Sequence, residues 1–157
     1  MSFAGPLKRA RFRLRFELGA PEHGWTTVQL ELAGRRIEFA ASAIPADPVN
    51  GLVDALRSAL LGHAARVRWP LEPGCVVFDF APGTEGLCLA VSFAERDGRV
   101  DEAAAVQCCG SPADIALPLW RGLQRFASRA PAPPHWPALD LAALAALTAL
   151  TRGLRKA

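Results

Sequence analysis

No stretch of the 157-residue chain is long and apolar enough to cross a bilayer as a helix: the longest nearly uncharged run, LAALAALTALT from Leu141 to Thr151, falls well short of the roughly 18 to 20 residues required. The start, MSFAGPLKRARFRLRF, lacks an apolar core between its charges and a small-residue cleavage site, so it does not read as a secretory signal. A cytoplasmic protein with no membrane attachment is expected. Lysine is nearly absent, with Lys8 and Lys156 alone against many arginines. The four cysteines form no C-x-x-C pair and have no H-x-x-x-H companion, so zinc-ligand spacing is missing. Neither a G-x-S-x-G elbow, a phosphate-binding G-x-x-x-x-G-K-[ST] loop, nor a G-x-G-x-x-G turn occurs. These absences argue against nucleotide, hydrolase and metal chemistry, and no cofactor or catalytic residue is expected.

What is present is a folded domain. At 51% hydrophobic and 21% charged residues the chain can build one real core, and its net charge of +3 is too small for the dense basic footprint of most nucleic-acid binders. Phe12, Leu14, Phe16 and Leu18 alternate with Arg11, Arg13, Arg15 and Glu17, the period of a half-buried strand. Two more alternating runs, Thr27 to Leu32 and Arg36 to Ala41, turn at Ala33-Gly34 and read as a hairpin. The period then changes. Val49, Leu52, Val53, Leu56 and Leu60 recur at helical spacing behind Asp47 and Pro48, which suit the cap and first turn of a helix from about Pro48 to Leu61. Four further strands follow, around RVRWPL, GCVVFDF, GLCLAVSF and VDEAAAVQCC. Ser111 and Pro112 then open a second helix that Pro118 is expected to kink or delay.

RAPAPPHWP reads as a stiff, extended connector, and a last helix is expected from about Ala138 to Leu154. The predicted order is βββαββββαα: an α+β two-layer sandwich with a single antiparallel sheet of about six to seven strands, covered on one face by helices. Residues 1–130 would form the domain and 131–137 the connector. The apolar helix in 138–157 would lie on that domain or on a partner.

Candidate contacts follow from what each element leaves over. Arg11, Arg13 and Arg15 form a row that could grip phosphates, although the interleaved phenylalanines face the core and cannot stack bases beside it. Asp79, between Phe78 and Phe80, is the most conspicuous acid. Trp136 in the proline-rich connector is the tryptophan expected to be most exposed. Leu144 and Leu147 belong to a helix apolar around most of its circumference, which invites burial or homodimer contact. Cys108 and Cys109 are the alternative site, a thiol enzyme or sensor. As strand neighbours they point to opposite faces, so the plainer expectation is a strand ending where Ser111 starts a helix. Cys75 and Cys88 fall on neighbouring strands of a proposed hairpin, where an approach is open to them, but a cytosolic setting disfavours a structural disulfide.

IPADPVNGLVDALRSALLG followed by RVRWPLEPGCVVFDFAPGTEGLCLAVSF resembles small bacterial α+β proteins, among them immunity-like proteins of polymorphic toxin systems. They share strands, one D-P-initiated helix, and an antiparallel meander with an E-P-G turn. The likeness runs from about Trp25 to Phe93 and carries over no catalytic residues. It implies a protein that acts by binding another protein.

Overall fold

The computed structural model describes residues 14–100 and 105–155. The class is α+β, but the strands form two antiparallel sheets rather than one. The first contains β1 (Arg15–Leu18), β2 (Trp25–Leu32) and β3 (Arg35–Ser42), in that order. After α1 (Pro48–Leu60), the second sheet runs β4 (Ala65–Pro70), β5 (Cys75–Gly83), β6 (Gly86–Ala94) and β7 (Val106–Gly110). Two helices close the chain, α2 (Pro112–Ser128) and α3 (Leu141–Arg155). The period of two says which side chains face inward, but not which strand edges pair. Here β3 and β4 are not joined by a ladder, and the inner faces of the sheets meet through side chains instead.

That meeting is aromatic. Phe16 of β1 and Phe39 of β3 each make an edge-on contact with Trp69 of β4 at 6.1 Å, and Trp69 lies 5.3 Å from Phe78 of β5. Trp69 is fully buried, and its indole N–H finds no acceptor among the described residues. Leu30, Leu32, Leu52, Leu56 and Leu89 extend the same core.

The helices sit where their caps and apolar stripes put them. Asp47 Oδ1 accepts the Val49 N–H at 2.8 Å, Pro48 occupies the first turn, and Leu52, Val53 and Leu56 are buried against the β4 and β5 side of the core. Ser111 caps α2, with Asp114 closing a reciprocal capping box. Of the kink or delay expected at Pro118, the delay is absent: the helix is continuous from Pro112 through Pro118 to Ser128. The connector is not extended: the N–H groups of His135 and Trp136 both donate to the Ala132 carbonyl in a tight turn. Ala138 to Asp140 lie outside α3, whose start is fixed when the Asp140 carboxylate accepts the Ala143 N–H at 3.0 Å. No helix among the described residues is long and apolar enough to cross a membrane.

Candidate functional site

Antiparallel register turns the outer face of the first sheet into a charge ladder. Arg15 stands opposite Glu31 and Glu31 opposite Arg36, while Glu17 stands opposite Gln29 and Gln29 opposite Glu38. Arg15 Nε lies 3.8 Å from Glu31 Oε2, so one rung is an ion pair. Helix α2 lies along β1. Its Gly122 makes the approach feasible, because a methyl group there would come within 2.5 Å of Phe16 Cδ2 and 2.8 Å of the Phe16 carbonyl oxygen. Arg125 donates to that carbonyl at 3.0 Å and sits 3.7 Å from Glu17, while Arg129 donates to the Leu18 carbonyl. Among the described residues, the outer edge of β1 is thereby closed by guanidinium groups, not by another strand.

Between this face and α2, from Ala113 to Arg125, runs a groove of about 800 Å³. Arg15, Glu31 and Arg36 line one wall, Asp114, Arg121 and Arg125 the other, and Phe16, Leu117 and Pro118 add apolar surface. Arg36 and Arg121 are exposed and have no ion-pair partner among the described residues. Charged walls with a smaller share of apolar surface and two uncommitted arginines suit reversible contact with a polar segment of another molecule.

Of the residues singled out from sequence, Arg15 alone lines this groove; Arg11 and Arg13 lie outside the described residues. Asp79 is held by Arg66 across the β4 and β5 pair, accepting at 2.6 and 3.1 Å. That rung ties a solvent-facing acid to its neighbour strand. Trp136 reverses its expectation of exposure. It is 1% exposed, stands edge-on to Phe126 at 5.8 Å, and donates from Nε1 to Asp47 Oδ1 at 3.2 Å. Burial raises the Asp47 pKa above its ordinary 3.8, against hydrogen bonds from Val49, Asn50 and Trp136 that favour the carboxylate. Leu144 and Leu147 are buried where α3 meets α1 and α2, so the inner half of that helix is occupied within the chain. Leu141, Ala142, Ala145 and Ala149 face outward.

The cysteines also rearrange the expectation. In the hairpin register Cys75 faces Ala94 and Cys88 faces Ala81, so those two cysteines do not meet. Cys88 is instead opposite Cys109, and the two form a disulfide between β6 and β7. Cys109 is therefore no free thiol here. Cys108 points to the opposite face, 2% exposed, and burial pushes its thiol pKa up to about 11. Cys75 is half-buried in a smaller concavity of about 560 Å³, where Arg68 lies 3.7 Å from its sulfur. His23 and His135 meet at the β1 to β2 turn, where the His23 backbone N–H donates to His135 Nδ1 at 3.2 Å. No histidine is hydrogen-bonded to a cysteine among the described residues.

Sequence reading missed Arg121, Arg125 and Arg129. Their spacing of four on a predicted helix was the available signal, since it puts three guanidiniums on one face. No family model, curated protein or solved structure matches the chain.

Proposed function

We propose that the chain is a non-enzymatic protein-interaction module of the cytosol, an immunity-type inhibitor or accessory subunit, that holds a segment of its partner in the groove between the first sheet and α2. The groove carries the reading. It offers arginines, which are favoured at protein interfaces, beside apolar surface and paired charges that can be exchanged for a partner's own. Arg36 and Arg121 supply attraction without first breaking an internal ion pair.

The test is a tagged pull-down from the native cells, with nuclease treatment, of the wild type and of a variant carrying Arg36→Glu and Arg121→Glu. One protein recovered near equal stoichiometry with the wild type, and lost with a variant of unchanged melting temperature, is the expected result. Retention by the variant overturns the groove as the contact. Recovery of nucleic acid alone, with affinity falling steeply as salt rises, transfers the arginine face to the rival reading.

A further inference from the structure

β7 ends the order of the second sheet and, among the described residues, is laddered only to β6. It passes without a linker into α2: Gly110 is its last residue and Ser111 is the helix cap. Beside that junction the chain is tightly fitted. A methyl group on Gly86 would lie 2.6 Å from Pro112 Cδ, and one on Gly110 would lie 3.0 Å from the Asp114 carboxylate. The Cys88–Cys109 disulfide starts two residues after Gly86 and ends one residue before Gly110, so it fastens the strand edge from which the helix departs. One and two turns on, Asp114 and Leu117 form part of the groove wall. Both bonded cysteines are half-buried, whereas Cys108 is sealed in the core.

We propose that Cys88 and Cys109 form a redox-responsive staple: oxidised, it fixes β7 and the first turns of α2; reduced, it loosens them and with them one wall of the groove. This rests on the cytosolic, groove-binding reading, since cytosolic disulfides are typically transient and sensing rather than structural. The oxidant is a low-molecular-weight disulfide such as oxidised glutathione. A Cys88 thiolate attacks one of its sulfurs and expels a thiolate, giving a mixed disulfide. The Cys109 thiolate then attacks the Cys88 sulfur and expels the second. Two protein S–H bonds are lost, one S–S bond forms, and the two released thiolates take up the two protons. Excess reduced thiol runs the same steps backward.

The experiment uses the full chain alone, equilibrated across ratios of reduced to oxidised glutathione, with thiols trapped by maleimide and located by mass spectrometry, and amide hydrogen exchange followed in parallel. Expected is one two-electron transition at Cys88 and Cys109. On reduction, exchange should quicken at least about tenfold over Val106 to Leu117, with the β2 and β3 hairpin unchanged. Cys88→Ser should show the fast exchange in every buffer. If the pair stays reduced at all ratios, or exchange over Val106 to Leu117 is the same in both states, the staple is overturned. No partner is involved, so this failure is distinct from failure of the pull-down.

Discussion

The two ends of α2 are fastened to the two sheets by opposite means. At its C-terminal half, Arg125 and Arg129 donate to the β1 carbonyls and Gly122 lets the helix press on Phe16; at its N-terminus, β7 is held by a covalent bond between Cys88 and Cys109. Guanidinium groups keep their charge at every physiological pH and are indifferent to thiols. A disulfide answers only to reductant. The same helix thus has one anchor fixed under all cellular conditions and one that the redox environment can release, and the groove runs from Asp114 and Leu117 near the releasable end to Arg125 at the fixed one.

The contrast can be broken from the fixed end first. Gly122→Val drives its Cβ into Phe16 and adds further bulk beyond it, and chemical denaturation is expected to show a loss of roughly 3 kcal/mol or more, the same with and without reductant. At the other end, Cys88→Ser opens a disulfide spanning 21 residues. It should cost about 2 to 3 kcal/mol in oxidising buffer and close to nothing beside the reduced wild type. Equal losses under both conditions would show that the side chain, not the bond, matters. Arg125→Ala removes one hydrogen bond to a carbonyl and a half-exposed ion pair with Glu17, and a loss of about 1 kcal/mol is expected, again blind to reductant.

The smallest effect belongs to Asp47, which joins α1 to Trp136 beneath α2. Asp47→Asn retains a good helix cap, so stability near pH 7 should shift by less than about 1 kcal/mol. Its signature is in the pH profile. Because burial raises the native pKa above 3.8, the folded protein holds this proton more tightly than the unfolded chain. The contribution is present in full below pH 3.8 and is lost as pH rises through the raised native value. Denaturation midpoints of wild type relative to the asparagine variant should therefore fall with rising pH across that window; a flat difference would contradict it.

Local physics was legible in the sequence. Asp47-Pro48 and Ser111-Pro112 announced two helix starts to the residue, and alternation identified Val28, Leu30 and Leu32 of β2 as inward; in β6 it holds for Leu87, Leu89 and Val91 but fails at Phe93, which is 47% exposed. Relations between distant segments were not. Alternation is the same whether β3 and β4 pair or not, so the division into two sheets depended on Trp69 meeting Phe16 and Phe39 across the core. The prolines around Trp136 suggested a rigid exposed strap because nothing local shows an indole reaching a carboxylate 89 positions away. Likewise, the register that sets Cys88 against Cys109 exists only once β7 has chosen β6. In the candidate site, Arg15 was visible as part of a strand face, while Arg121 and Arg125 gained meaning only when α2 was laid along β1.

Trp136 also changes what kind of object the C-terminal helix is. Fifteen residues, mostly leucine, alanine and threonine, would be marginally helical by themselves in water. Pinned at Asp47 and Phe126, the indole leaves only four residues, 137–140, before α3 begins, and Asn50 meets that segment by accepting the Asp140 N–H at 2.9 Å. The helix is then delivered to its seat on α1 and α2 as a tethered ligand, at an effective concentration in the millimolar range or above that no free copy of the segment would reach in a cell.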